Sequence, residues 1–132
     1  MFKATITFND KSQAVVDSPQ EFTKLFFERF KRAFNVRDYC KIASIVFGGM
    51  IADTDIDRVG HILKDNTDII KIEFNCYQIK KQHHDVRAFA LSKEALKNFL
   101  SMMGVHDNGI NAGATYYNSG FAWEVSKASV IV

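Results

Sequence analysis

The sequence contains little proline, glycine, cysteine or tryptophan, and these shortages exclude several classes of protein. Its 132 residues include one proline and seven glycines, too few for a linker, a collagen-like tract or a disordered tail. The first residues, MFKATITF, alternate apolar and polar side chains, which argues against a signal peptide. The longest mainly apolar run, residues 42–52, is too short to span a bilayer. We therefore expect a single soluble, cytoplasmic domain over residues 1–132.

The chain also has few cysteines and a small net charge. Cys40 and Cys76 are the two cysteines, and they have neither CxxC spacing nor paired ligands nearby. This pattern favours two reduced, partly buried thiols in strands over a disulfide. The net charge of +2 is too small to indicate nucleic-acid or membrane binding by itself. Apolar residues make up 47% of the chain, so it can bury a core without disulfides.

The clearest predicted element is a helix over residues 18–34. Ser18 is the predicted N-cap, Pro19 the first helical residue, and Glu21 the capping-box partner whose carboxylate reaches back to the Ser18 amide. Apolar residues then recur at helical spacing along one stripe: Phe22, Leu25, Phe26, Phe30, Ala33 and Phe34. A stripe with four phenylalanines indicates that this helix anchors the core.

Alternation and turn residues predict the other elements. Further helices begin at Asp53 and Ser92, and Gly104 ends the second of these in a left-handed conformation. Strands are predicted over residues 2–8, 13–17, 37–47, 70–76, 86–91, 110–117, 121–125 and 128–132. The segment 37–47 is ambiguous, but its β-branched and aromatic content favours a strand over a helix. The predicted fold is α+β, a mainly antiparallel sheet with about three helices that cover one face.

The order strand, turn, strand, serine cap and helix occurs twice, over residues 1–35 and 69–104. Overlaying Ser18 on Ser92 aligns the two apolar stripes. Two ββα half-units related by a pseudo-twofold axis would explain this match. Any amphipathic helix after a hairpin would produce it as well, because the residue identities differ beyond the cap and the stripe. Both interpretations stay open.

The sequence contains no complete catalytic or cofactor-binding set, so we predict no catalytic residues, cofactor or metal site. Residues 53–57 begin like a calcium loop, but Arg58 replaces the required glycine and Lys64 the bidentate glutamate. Residues 47–50 lack the spacing and the lysine of a phosphate-binding loop, and no GxSxG motif occurs. Neither cysteine has a local neighbour that would activate a thiolate.

Histidines supply one alternative, a small-ligand or metal-dependent site. His83, His84 and His106 are the candidates, because they lie in predicted turns that also contain aspartate. Zinc needs three or four ligands that converge from a fixed framework, and adjacent histidines on a strand point to opposite faces. Such a site therefore requires the fold to bring these turns together.

A basic surface supplies the other alternative, nucleic-acid binding. Six cationic residues fall on the outer face of the first helix and just after it: Lys24, Arg29, Lys31, Arg32, Arg37 and Lys41. They could neutralise phosphates without sequence preference. Glu28 interrupts this surface, residues 53–68 form an acidic patch, and no RRM, KH or zinc-finger signature is present.

The segment 104–123, GVHDNGINAGATYYNSGFAW, is the part of the chain least explained by folding. Glycine, asparagine and serine give adaptable hydrogen bonding, and Tyr116, Tyr117, Phe121 and Trp123 give large amphipathic contacts at low entropic cost. The predicted binding residues in this segment are His106, Asn108, Tyr116, Tyr117 and Asn118. The alternative interpretation is a plain hairpin whose aromatic side chains fill the core.

These patterns favour a small, non-catalytic binding protein with a protein partner. Compact chains rich in phenylalanine, isoleucine, lysine and asparagine are typical of inhibitors and accessory factors of phages and other mobile elements. Nucleic-acid binding, with Lys31, Arg32 and Arg37 as contacts, is the second hypothesis, and a histidine site is the third. Pairing of two copies is a further hypothesis, since antiparallel sheets leave edge strands that can associate.

Overall fold

The computed structural model describes residues 2–30, 34–85, 87–107, 109–118 and 120–132. Within these ranges it contains seven strands and four α-helices. In chain order they are β1 Lys3–Phe8, β2 Gln13–Val16, α1 Pro19–Phe30, α2 Val36–Gly48, β3 Met50–Ala52, α3 Ile56–Asn66, β4 Ile69–Lys81, β5 Arg87–Ala90, α4 Lys93–Met102, β6 Thr115–Asn118 and β7 Phe121–Ile131. No helix among these is both long enough and apolar enough to cross a membrane. The predicted α+β class with a mainly antiparallel sheet is confirmed, although with four helices.

β4 is the central strand of the sheet. β1 pairs with its first half, from Ile69 to Asn75, and β5 pairs with its second half, from Tyr77 onward. β7 pairs with β4 from Glu73 to Lys81, so it overlaps both of these partners and must occupy the opposite edge. All three pairings are antiparallel. β2 extends the sheet beyond β1, β3 beyond β5, and β6 beyond β7.

The sheet carries one buried cluster on each face, towards opposite ends of β4. Neighbouring strand residues point to opposite faces, and Phe89 and Ala90 of β5 belong to different clusters. In the first cluster, Phe74 of β4 packs with residues of α1, α2 and α3. In the second cluster, Ile79 of β4 packs with residues of α4. The prediction that the helices cover one face is therefore wrong, because α4 lies on the other face.

Over the described residues, α1 forms much as its sequence predicts. The Ser18 hydroxyl accepts a hydrogen bond from the Glu21 amide at 3.0 Å. The Glu21 carboxylate accepts from the Asp17 amide at 3.4 Å, one residue before the partner that the capping box predicts. The buried part of the phenylalanine stripe is Phe22, Phe26 and Phe30. Residues 31–33 of the predicted helix lie outside the described part of the chain.

Residues 37–47 form a helix, so the predicted strand is wrong. The Asn35 side chain caps α2 by accepting a hydrogen bond at 2.8 Å from the amide three residues later. Gly49 ends α2 in the left-handed region, with φ +73°. Ile42 and Val46 lie one helical turn apart and are both buried. Two caps and an inner face with helical spacing thus outweigh the strand preference of the side chains.

Several strand boundaries also differ from the prediction. β7 is one continuous strand in place of two, and residues 110–114 form a loop before β6. The pairing of β1 with β4 shifts register at Phe8, and Ile70 is 49% exposed instead of sharing the buried face. Residues 53–55 form a short 3₁₀ turn that leads into α3.

The structure does not support a pseudo-twofold relation between the two ββα segments. Ser92 does cap α4, accepting a hydrogen bond from the Ala95 amide at 3.1 Å, as Ser18 caps α1. The strands are unequal, however, because β1 has six residues and β4 has thirteen. The helices also lie on opposite faces of the sheet. What the two segments share is a capped amphipathic helix after a hairpin.

Candidate functional site

The β6–β7 hairpin and the turn between β4 and β5 meet at one end of the sheet. The Gln82 amide donates a hydrogen bond to the Ala122 carbonyl at 2.8 Å, which joins this turn to β7. A shallow depression opens there, lined by Gln82, His83, His84, Tyr117, Asn118, Gly120, Phe121 and Ala122. We refer to these residues as the hairpin tip. Two of the predicted histidines and two of the predicted binding residues therefore lie together.

Tyr117 and Phe121 are the exposed aromatic residues of the hairpin tip. Tyr117 is 75% exposed and Phe121 is 47% exposed. Tyr117 pairs with Ala122, and Asn118 pairs with Phe121, so the two rings lie on opposite faces of the hairpin. The Lys81 ammonium lies 3.6 Å from the centroid of the Phe121 ring. This cation–π contact, worth about 0.5–1 kcal/mol at an exposed site, orients Phe121 while leaving part of the ring accessible.

Asn118 connects the hairpin tip to α4. Its side-chain amide donates a hydrogen bond to the carbonyl of Met103, the C-cap of α4. Gly104 follows with φ +85°, and a Cβ atom there would lie 2.9 Å from the Asn118 amide nitrogen. Glycine is therefore needed for the backbone conformation and also for the close approach of Asn118. Asn118 positions the hairpin tip as well as lining it.

Tyr116 is buried, so the prediction that it contributes to an exposed binding surface is wrong. It is 8% exposed and packs in the second cluster. Its hydroxyl oxygen accepts a hydrogen bond from the Asn111 amide at 2.6 Å and lies 3.3 Å from the Gly109 carbonyl. These contacts hold the loop before β6. The side chain is structural, and the interpretation of a hairpin with core aromatics is correct for this tyrosine.

The three candidate histidines occupy two places. His83 and His84 line the hairpin tip, whereas His106 follows α4, with its Nδ1 atom 3.3 Å from the Ser101 hydroxyl. Over the ranges that the structure describes, no three histidine, cysteine, aspartate or glutamate side chains are grouped to hold a metal ion. Asn108, predicted as a binding residue beside His106, lies outside those ranges.

Ion pairs occupy part of the predicted basic surface. An Arg29 guanidinium nitrogen lies 2.8 Å from an Asp68 carboxylate oxygen, and this hydrogen bond raises the pKa of Arg29. The Lys41 ammonium lies 3.8 Å from an Asp55 carboxylate oxygen. Because these cations already face carboxylates, they have less free charge to offer a phosphate. Of the other predicted contacts, Arg37 is exposed on α2, and Lys31 and Arg32 lie outside the described residues.

The two cysteines are free thiols in different environments. Cys40 is exposed on α2, so its predicted position in a partly buried strand is wrong. Cys76 is buried in β4, where burial raises the pKa of its thiol to about 11. A thiol with so high a pKa is a weak nucleophile at neutral pH.

Lys81 was not predicted as a site residue, and Phe121 was predicted only as one of the aromatic contacts of the segment 104–123. The sequence NSG at 118–120, between aromatic residues, could have indicated a hairpin end before Phe121, but the approach of Lys81 depends on the long-range pairing of β4 with β7. No known protein family, curated protein or solved structure matches this chain. Its functional interpretation therefore rests on the chemistry of the hairpin tip.

Proposed function

We propose that this chain is a small, non-catalytic protein that binds a protein partner through the hairpin tip, as an inhibitor or an accessory factor. The observation that carries this proposal is the 75% exposure of Tyr117 on β6, a strand that is paired with β7. Exposed tyrosine is enriched at the energetic centres of protein interfaces, because one ring offers both apolar area and a hydrogen-bonding hydroxyl.

The surroundings of Tyr117 suit recognition of a polypeptide. Its backbone is fixed in β6 by pairing with β7, so little conformational entropy is lost when a partner packs on the ring. Asn118, His83 and His84 place amide and imidazole groups around the same depression. These groups can exchange hydrogen bonds with main-chain amides and carbonyls, while Phe121 adds apolar contact on the other side of the hairpin.

The test compares partner capture by the wild-type chain with capture by two variants of the hairpin tip. Tyr117→Ala and Phe121→Ala are each expected to weaken binding, and a hot-spot loss of about 2 kcal/mol corresponds to roughly thirtyfold in Kd. Phe47→Ala is the matched control, because Phe47 is 53% exposed on α2 and lies outside the hairpin tip. Captured proteins are identified by mass spectrometry from the native host, and the Kd is then measured with each purified partner.

Nuclease treatment and a salt series separate this proposal from nucleic-acid binding. A protein complex that survives nuclease and is weakened by Tyr117→Ala supports the hairpin tip. Retention of nucleic acid that falls steeply with salt, and is unaffected by Tyr117→Ala, would instead favour the basic surface of α1 and α2. A protein partner bound equally well by all variants would reject the hairpin tip as its contact.

A further inference from the structure

The outer edge of β7 is open beyond the end of β6. β6 pairs with the segment Phe121–Glu124, and residues 113 and 114 exchange hydrogen bonds with Val125. From Ser126 to Ile131, no other strand of the described chain pairs with this edge. The free segment lies in the half of β7 that pairs with the middle and first part of β4, away from the hairpin tip.

The register with β4 identifies the free backbone groups. Ile72 and Val132 exchange two hydrogen bonds, of 3.0 and 2.9 Å. Bonded and non-bonded pairs alternate along an antiparallel ladder, so the even-numbered residues of β7 bond to β4 and the odd-numbered residues bond outward. Val125 fits this alternation, because its amide and carbonyl bond to residues 114 and 113. The outward groups beyond it belong to Lys127, Ser129 and Ile131.

This edge has few of the features that normally prevent strand association. Natural sheets protect their edges with proline, bulges, covering segments or charged side chains. Residues 126–131 contain no proline, and their pairing with β4 runs without a register shift. Ile131 is 54% exposed on the segment. Lys127 is the charged residue on this segment that could oppose pairing. Association is therefore favourable only if the Lys127 ammonium group has an opposite charge near it in the interface.

We propose that two copies of this chain pair through the β7 edge, antiparallel, about a two-fold axis at Ser129. Centring on Ser129 sets Ser129 opposite Ser129 of the second copy, and Lys127 opposite Ile131 of the second copy. This register pairs all three outward residues with one another, and each pair exchanges two hydrogen bonds. The contact is isologous and closes as a dimer, because each copy offers the same edge once.

In the proposed dimer, Glu73 of one copy provides a negative charge near Lys127 of the second copy. Glu73 stands opposite Ile131 in β4, and its carboxylate accepts a hydrogen bond from the Ser129 hydroxyl at 2.7 Å. The carboxylate therefore leans from β4 towards β7, in the direction of the open edge. In the proposed dimer, Lys127 of the second copy lies on the same face, two strand spacings or about 10 Å from Glu73 between backbones. Its aliphatic stem covers Ile131 while its ammonium group approaches the carboxylate.

The interface is small, so the dimer is weak and concentration-dependent. It is also separate from the proposed partner surface, because none of the edge residues lines the hairpin tip. The edge can therefore fail its test without affecting the proposed function.

Amide hydrogen exchange, followed by NMR together with sedimentation equilibrium, tests the pairing directly. We expect the amides of Lys127, Ser129 and Ile131 to exchange more slowly at millimolar than at micromolar protein, in parallel with the dimer fraction. The amides of residues 126, 128 and 130 bond to β4 and are expected to stay protected at both concentrations. A monomer throughout the range, or a dimer that leaves the three outward amides unprotected, overturns the proposal.

Variants test the register. Ser129→Pro removes an outward N–H group without removing a backbone hydrogen bond to β4, although it also removes the exposed hydroxyl that bonds to Glu73. We expect it to abolish the dimer with an unchanged circular dichroism spectrum. Lys127→Glu is expected to weaken the dimer about fivefold through loss of the opposite charge, and Glu73→Lys to act similarly. The double exchange of these two charges is expected to restore the dimer, which a variant damaged in folding would not do.

Two control variants, Lys97→Glu and Tyr117→Ala, separate the edge from other surfaces. Lys97→Glu makes the same charge change on the exposed side of α4, and both variants are expected to leave the dimer intact. A dimer that resists both Ser129→Pro and Lys127→Glu, or one that is lost in Tyr117→Ala, would form through a different surface and would overturn the proposal.

Discussion

Phe26 and Phe27 are adjacent in α1 and have opposite surroundings. Phe26 is 1% exposed, and the ring centroids of Phe22, Phe30 and Phe34 lie 5.6, 5.2 and 5.1 Å from its own. Phe26→Ala is expected to lower the free energy of unfolding by about 3–5 kcal/mol, because it removes apolar burial and leaves a cavity among aromatic rings. Urea unfolding monitored by circular dichroism measures the change.

The neighbouring residue is the control for that substitution. Phe27 is 51% exposed, and its ring contacts Tyr39 at a centroid distance of 5.7 Å. Phe27→Ala is expected to cost about 1 kcal/mol, since roughly half of the ring already faces water. Equal losses for the two variants would contradict the assignment of Phe26 to the core and Phe27 to the surface.

Single residues were predictable where local spacing decides their role. Ser18 and Ser92 were identified as caps, and Phe22 and Phe26 as core, because a capping serine and a helical stripe act within a few residues. Tyr116 could not be told from Tyr117 in this way. Adjacent strand residues point to opposite faces, and the buried face of β6 is set by its register with β7, which the sequence of β6 alone does not reveal.

Helix α2 depends on the glycine that ends it, and the two adjacent glycines differ in what they tolerate. Gly49 has φ +73°, and a Cβ atom there would approach the Ala95 Cβ to 2.7 Å. Gly49→Ala is expected to destabilise the protein by at least about 1–2 kcal/mol, from the left-handed backbone alone, with the contact to α4 added. Thermal unfolding measures the loss.

Gly48→Ala is the matched control, because Gly48 is the last residue of α2 and its added Cβ would meet no atom within 4 Å. Alanine is favoured over glycine in a helix by up to about 1 kcal/mol, so this variant is expected to be neutral or slightly stabilising. A loss at Gly48 as large as the loss at Gly49 would be inconsistent with the caps described for α2.

Helix α2 was predicted as a strand because its amino-acid composition was given more weight than its caps and its helical spacing. Its composition favours a strand, but Ile42 and Val46 have helical spacing, and Asn35 and Gly49 stand where an N-cap and a left-handed C-cap are required. Caps and spacing were therefore better guides than composition.

The residues of the hairpin tip come from two separate segments of the sequence, and each segment was noted for a different possible site. Their meeting depends on the pairing of β4 with β7 and could not be predicted from either segment.

At the scale of the whole molecule, β4 belongs to both buried clusters, so we expect the two clusters to unfold together. Trp123 is the single tryptophan and packs on Phe99 in the second cluster, with ring centroids 5.6 Å apart. Its fluorescence therefore reports the second cluster. The far-ultraviolet circular dichroism comes largely from α1, α2 and α3, which pack in the first cluster. We expect the same urea midpoint from both signals, as two-state unfolding requires.

The control for this comparison is the Phe26→Ala variant. Its substitution lies in the first cluster, yet it is expected to move the fluorescence midpoint of Trp123 as far as the dichroism midpoint. Two separate midpoints, or a fluorescence midpoint that is unchanged in the Phe26→Ala variant, would show that the clusters on the two faces of the sheet unfold independently.

The central position of β4 also has a consequence for the chain during its synthesis. β1 pairs with β4, so the two strands of the first hairpin and the helices α1, α2 and α3 leave the ribosome before the strand that completes their sheet. At about 5–20 residues per second, the phenylalanine stripe of α1 is uncovered for several seconds. A nascent chain in that state offers an apolar helix face to ribosome-associated chaperones, and that face can be covered by the sheet only after Ile69–Lys81 has left the ribosome.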